Sequence, residues 1–250
     1  MSDETERNSE TIDCCIVQIT NPYIVMPVKD SVDRAEQAIR AIREAGYEIT
    51  VYNDNSTPPN TSRLEQLAER LGFTLVNIRE LTPHPSPNYL FVLTHAQAHA
   101  LQVNAHLLIV ESDVVIHTDT IPRMLEQSNT GIGMVAAVTT DETGAVIFPY
   151  QYARHWRKTI HDTKKRLSFC CTLLTNQLLH AYDFSRLDPS KNWYDVFISH
   201  LSVTLGLHNL LMTNNPVLHY PHSSRPWKQL KYKRPLLYYW RKITQHRDKI

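Results

Sequence analysis

His106-Leu107-Leu108-Ile109-Val110-Glu111-Ser112-Asp113-Val114-Val115-Ile116 is the stretch on which the fold turns. Leu107 to Val110 is short and wholly apolar, the composition of a strand buried on both faces. It stops abruptly at two acids, and Val114 resumes apolar character at once. Charges interrupt a buried segment only for a reason. If the backbone stays extended through the triplet, Glu111 and Asp113 point to the same side. Together they could then hold a hard, oxygen-preferring cation such as Mg²⁺ or Mn²⁺. A solvated strand end reads the same way, so position, more than composition, gives the triplet its weight.

Upstream, strand and helix patterns alternate. Ile24-Val25-Met26 is an apolar run ending at Pro27, with Asp30 and Ser31 read as helix caps. A helix follows with Ala35, Ala38, Ile39 and Ile42 on one face and Gly46 placed to end it. Residues 49–52 alternate like a strand and stop at Asn53-Asp54-Asn55-Ser56. Ser62 with Glu65 has the capping-box pattern and is expected to open a second helix, closed by Gly72. Residues 73–78 make a third strand, and a proline-rich loop leads to a helix over 88–105. Repeated β-α-β units imply an α/β domain with a mostly parallel sheet covered on both faces. Ligands gather at the carboxyl ends of such strands, and Asp54 and Asp113 both lie just past one.

The second half is less regular and reads as a mixed half fused to the first. Strands are expected over 134–138, 145–148 and 168–174. A helix is expected over 192–205, with Val196, Phe197, Leu201 and Leu205 on one face. From Trp227 on, Lys and Arg are interleaved with Tyr232, Tyr238, Tyr239 and Trp240. Three readings of this tail stay open: a solvated helix, nucleic-acid binding, or peripheral contact with an anionic membrane surface. The expected division is a disordered lead-in over 1–20, one domain over 21–226, and the basic aromatic tail over 227–250.

With 250 residues and 42% hydrophobic content, the chain can bury one sizeable core. The formal net charge of +1 provides no general attraction to nucleic acid, which is not expected as a partner. No apolar run approaches the roughly 20 residues that a membrane span needs. The polar, acidic start MSDETERNSE lacks the features of a signal peptide. Cys14-Cys15 and Cys170-Cys171 are vicinal pairs in apolar surroundings, read as buried small hydrophobes rather than metal or redox groups. A reducing, cytoplasmic setting is expected, with the inner membrane face reachable through the tail.

The six glycines are scattered, giving neither a dinucleotide-binding turn nor a phosphate-binding Walker loop. A diphosphate bound here would need another neutralising group, and a carboxylate-held metal is the usual one. The ordered series Ile24-Val25-Met26-Pro27-Val28, Asn53-Asp54-Asn55-Ser56 and Ile109-Val110-Glu111-Ser112-Asp113 resembles family 2 of the GT-A glycosyltransferases. Leu187-Asp188 through Trp193-Tyr194-Asp195-Val196 is similar to that family's acceptor-side segment, and Val217-Leu218-His219 to its late histidine motif.

The resemblance implies an inverting transferase that moves a sugar from a nucleoside diphosphate donor to a hydroxyl acceptor. Its donor-binding set would be Pro27, Asp54, Glu111, Ser112 and Asp113, with Asp54 on the base or ribose. Asp113 and His219 would hold Mn²⁺ or Mg²⁺, and Asp195 would be the catalytic base. The acceptor implied is a glycan or lipid-linked glycan of a bacterial surface polymer. Turn chemistry also explains Asp54, and a helix's first turn also favours an acid such as Asp195. Asn53 and Glu111 stand where the family has Asp, Lys29-Asp30 replaces an aromatic-Asn pair, and Tyr194 sits where an acid often precedes the base. A sugar nucleotidyltransferase, or a degenerate GT-A domain acting as a binding partner, are the other readings.

Overall fold

The computed structural model describes residues 21–191, 193–220 and 234–244. The lead-in over 1–20 with Cys14 and Cys15, and the tail residues 221–233 and 245–250, lie outside the described residues. In the first half the expected alternation becomes β1 (Tyr23–Val28), α1 (Val32–Glu44), β2 (Thr50–Asn53), α2 (Pro58–Leu71), β3 (Thr74–Asn77), α3 (Tyr89–Gln102) and β4 (Leu107–Val110). β1 lies between β2 and β4, β3 flanks β2, and all of these pairings are parallel. Strand alternation sends Ile24, Met26 and Val28 to one face, where they pack with Ile39, Ile42 and Leu64. Val25 points to the other face and packs with Val92, Leu93 and Ala96. Hence α1 and α2 cover one side of the sheet and α3 the other.

The start of α2 differs from the capping-box expectation. The helix begins at Pro58, ahead of Ser62, with the fixed φ of proline suited to a first helical position. Asp30, read as a cap for α1, serves α2 instead: its Oδ1 accepts from the Thr57 amide at 2.7 Å and from Thr57 Oγ1 and Asn60 Nδ2. Gly72 ends α2 at φ +67, a left-handed conformation that a side chain would resist.

The second half adds β5 (Val114–Val115), α4 (Thr120–Leu125), β6 (Ile132–Thr140), β7 (Ile160–Asp162), β8 (Cys171–Leu174), α5 (Asn176–Ala181), α6 (Tyr194–Thr204), β9 (His208–His219) and α7 (Pro235–Thr244). Among the described residues the sheet runs β3-β2-β1-β4-β8-β6-β9-β5, with β7 also paired to β9. β8 runs antiparallel between β4 and β6, with Val110 opposite Cys171. The end of β9 pairs antiparallel with β5, Val114 opposite His219. These two returns carry residues of the second half to the edge where the parallel strands end.

Three expectations for this half are corrected. Residues 145–148 are not a strand: Val146 makes only an isolated bridge to Thr140. Within 168–174 the strand proper is Cys171–Leu174. In α6 the buried positions are Tyr194, Ile198, Ser199 and Ser202, while Phe197 and Leu205 are 48% and 42% exposed. Close packing explains the inversion. A Cβ at Gly133 of β6 would lie 2.0 Å from Ser202 Oγ, so α6 approaches β6 too tightly for large side chains. The serine hydroxyl of Ser199 then satisfies the Leu167 amide and donates to the Asp195 carbonyl.

Candidate active site

Glu111, Ser112 and Asp113 do not continue β4 as an extended backbone. Val114 N–H donates to Glu111 O at 3.1 Å, closing a turn. The expected extended backbone is thus replaced by a turn, yet both carboxylates still bear on the Cys170 thiol and the His219 ring. Glu111 goes toward the start of β8: its amide donates to Cys170 O at 2.9 Å, and its Oε2 accepts from the Cys170 thiol at 3.2 Å. Asp113, 3% exposed, goes toward the end of β9, where its Oδ2 lies 3.6 Å from His219 Nε2.

The His219 ring is fixed by Nδ1, which donates to Phe148 O at 3.1 Å. In the neutral ring this leaves Nε2 as the lone-pair nitrogen, the usual arrangement of a ligating histidine. Burial pulls the His219 pKa down, but Asp113 and Glu111 outweigh it and the net direction is upward. One oxygen of Glu111, Cys170 Sγ and a ring nitrogen of His219 all lie within 4.8 Å of one another. An acid oxygen, an imidazole nitrogen and a sulfur at that separation suit a divalent cation. Asp113 flanks this trio through His219.

Asp195 is the second residue of α6, so it does occupy a helix's first turn. Its side chain faces inward. Oδ1 accepts from the Val196 amide at 2.8 Å, and Oδ2 lies 3.5 Å from Arg166 Nε. Burial raises its pKa above the ordinary value of 3.8, against the opposing pull of Arg166. Ser168 Oγ lies 3.5 Å from Cys170 Sγ. Polar side chains thus run from Ser168 through Cys170 to Glu111, and Ser168 also lowers the pKa of nearby Asp195.

Tyr89, the first residue of α3, was not singled out from the sequence. Its buried hydroxyl has no hydrogen-bond partner among the described residues. Its pKa is pushed well up, by burial first and then by the nearby charges of Glu111 and Asp195. Tyr89 therefore lies within electrostatic reach of both the acid that follows β4 and the acid of α6. No local motif distinguishes it, and only the position of α3 reveals it.

Asp54 sits at the other end of the edge. Its Oδ2 accepts from Ser86 Oγ at 2.7 Å and the Asn88 amide at 3.0 Å, and its Oδ1 accepts from Asn88 Nδ2 at 2.8 Å. Asn53 is a structural residue: its Nδ2 donates to Asn77 Oδ1 and Thr61 Oγ1, and its Oδ1 accepts from the Ser56 amide. An aspartate there would set a carboxylate against the Asn77 oxygen, which accounts for asparagine at this position. Pro27 pairs with Tyr52 inside β1, after the ladder to β4 has ended at Val25–Ile109. Ser112 is half-buried in the acid turn. The structure thus brings Glu111, Asp113, His219 and Asp195 into one region with Cys170, while Pro27 and Asp54 line the β1–β2 end. Trp193, Phe197, Lys191 and Leu187 line an apolar groove on the outer side of α6.

The architecture defines a GT-A-like α/β domain, and solved structures share it. GalNAc-T7, crystallised with UDP, GalNAc and Mn²⁺, superposes with a TM-score of 0.55 at 11% identity, over 83% of this chain and 45% of that one. Glucosyl-3-phosphoglycerate synthase from Mycobacterium tuberculosis, with Mn²⁺ and UDP-glucose, gives 0.51 at 12% identity, over 85% of this chain and 75% of that one. A mycobacterial protein gives 0.55 at 16%, covering 82% of this chain and 69% of its own. No protein-family model and no curated protein matches the sequence. At these identities the likeness is one of fold.

Proposed function

We propose that this chain is an inverting, metal-dependent glycosyltransferase of family 2 that uses a nucleoside diphosphate sugar. The observation that carries the reading is the convergence of Glu111 and His219 at the carboxyl edge of a GT-A-like sheet, with Asp195 near enough that its charge and that of Glu111 both bear on Tyr89. The similar folds of UDP-sugar transferases solved with Mn²⁺ support it. Pro27, Asp54 and Ser112 would contribute to the donor pocket, with Asp54 nearest the nucleoside. Glu111, Asp113 and His219 would hold Mn²⁺ or Mg²⁺, which when bound neutralises charge on the donor diphosphate.

Asp195 would accept the proton of the acceptor hydroxyl as its oxygen bonds to the anomeric carbon. The bond from that carbon to the diphosphate breaks on the opposite face, and the configuration inverts. A carboxylate with a raised pKa is a better base than an ordinary one. Arg166 would keep it ionised and oriented.

The acceptor we propose is a growing bacterial surface glycan, free or lipid-linked, met at the cytoplasmic membrane face. In α7, Leu236, Tyr239 and Trp240 are exposed at 88%, 51% and 61% with spacing that puts them on one face, while Tyr238 is buried. An apolar aromatic face on a basic tail suits an anionic interface. No helix among the described residues is long and apolar enough to cross a membrane.

A thermal-shift screen of nucleoside diphosphates with and without Mn²⁺ tests the reading, since a ligand that binds only the folded state raises Tm. Stabilisation by one diphosphate, dependent on metal, is expected. Donor binding without hydrolysis or transfer at any metal concentration would favour the degenerate-domain reading, and pyrophosphate-releasing exchange with a nucleoside triphosphate would favour a nucleotidyltransferase.

A further inference from the structure

Cys170, just before β8, and Cys171, its first residue, have different surroundings. Cys171 turns toward Met124 Sδ, 3.9 Å away, and behaves as the small hydrophobe expected of it. The Cys170 thiol lies between Ser168 Oγ and Glu111 Oε2 and belongs to the trio with His219. Cys170, in the turn that leads into β8, directs its thiol to Glu111 at the end of β4, while Cys171 turns toward α4. Three donors of different chemistry, supplied by the ends of β4, β8 and β9, meet where strand pairing brings those ends together.

We propose that Cys170 is a direct thiolate ligand of the metal ion at this site, making it a mixed oxygen, nitrogen and sulfur site that prefers Zn²⁺ or Co²⁺ to Mg²⁺. The inference rests on the metal-dependent transfer proposed above, but it concerns the chain's own affinity for metal without nucleotide. Sulfur donors select softer ions, whereas Mg²⁺ demands oxygen ligands. On binding, the S–H bond now directed at Glu111 Oε2 breaks, its proton leaves to solvent, and a sulfur–metal bond forms in its place. A bound cation reverses the local electrostatics that otherwise keep a buried thiol protonated beside carboxylates. Glu111 is thereby released from accepting the thiol proton and turns its oxygen to the same ion.

Cobalt provides the test, because a thiolate bound to Co²⁺ gives a charge-transfer absorption in the near ultraviolet that oxygen and nitrogen ligands do not. The full chain titrated with Co²⁺ alone should develop that band. Cys170→Ser should lose it, while Cys171→Ser, Cys14→Ser and Cys15→Ser should keep it. Loss of an outer-shell partner already costs about 10–100-fold in metal affinity, so Cys170→Ser should weaken Zn²⁺ by at least that much. Mg²⁺ binding should change far less.

Should Cys170→Ser fail to fold, X-ray absorption on the zinc-loaded native chain decides instead, with a sulfur neighbour at about 2.3 Å expected. Cobalt bound without the band, a band unchanged in Cys170→Ser, or a zinc shell of nitrogen and oxygen only would each overturn the assignment and leave metal-dependent transfer standing. Failure to bind Co²⁺ or Zn²⁺, while UDP with Mn²⁺ still binds, would likewise overturn it alone. Failure of all metal binding, with or without UDP, would remove both.

Discussion

Asp54 and Glu111 both follow a parallel strand, β2 and β4, yet the chain surrounds their carboxylates differently. Asp54 is enclosed by donors of its own fold: Ser86 and both the amide and side chain of Asn88 fill its oxygens. Glu111 meets a thiol and stands within coordinating reach of an imidazole. The β2 end is therefore a preorganised wall whose shape is set before any ligand arrives. On the proposed function, the β4 end would gather the groups that hold the cation and move the proton. On that reading, recognition of the nucleoside would fall to the β2 end and activation of the diphosphate to the β4 end.

The largest effect is expected at Asp195, which belongs to the reactive end. Asp195→Asn keeps the size of the side chain but cannot take a proton. Turnover should fall about 10²–10⁴-fold with donor affinity nearly unchanged. The variant should also fold well. Because burial holds the native-state pKa above 3.8, the carboxyl's favourable contribution is complete below 3.8 and is lost as pH rises through the raised value. At neutral pH the ionised group is a cost that asparagine lacks. A drop confined to KM would recast Asp195 as a binding contact, and a collapse of donor binding would move the search for the base to Asp188.

Asp54→Ala addresses the wall. It leaves the Asn88 amide and side chain and the Ser86 hydroxyl without their acceptor, and unsatisfied buried groups cost about 1–3 kcal/mol. Chemical denaturation should show that loss, and nucleoside binding should weaken equally with and without metal. Unchanged stability would mean that the loop carrying Ser86 is held by other contacts.

Arg166 sharpens the contrast more gently. If Asp195 is the base, its ionised form is the active one, and the rate should fall on the acid side at a pH above that of an ordinary aspartate. Arg166 opposes the rise, so Arg166→Gln should move that limb to higher pH. A limb that stays in place would separate Arg166 from the base. The smallest effect concerns α7: Trp240→Ala should weaken binding to phosphatidylserine vesicles, and native binding should decline with salt. Salt-insensitive binding, equal in both proteins, would detach the tail from the membrane.

The division between the two ends also marks what could be read from the sequence. The β1 to β4 units follow local rules, with apolar periods, closing glycines and strand-end acids at short range. Even there the start of α2 was displaced, because Asp30 caps it from a neighbouring loop and no local pattern records that contact. The second half depends on pairings between distant residues, such as Val110 with Cys171 and Val114 with His219. Cys170 is buried in the core with Cys171, as its apolar setting implied, but no local pattern records that its thiol meets Glu111, and Tyr89 carried no signal at all. The polar inner face of α6 was hidden for a related reason: it is set by the close approach of Gly133, which lies on another element.

Isothermal calorimetry of UDP, with Mn²⁺ and with the metal chelated, on native protein and on Asp113→Ala, tests the central claim most directly. The bridging cation should make native binding strongly metal-dependent, and Asp113→Ala should retain only the weak, metal-independent part. Identical metal dependence in the two proteins, or native binding indifferent to Mn²⁺, would contradict the account.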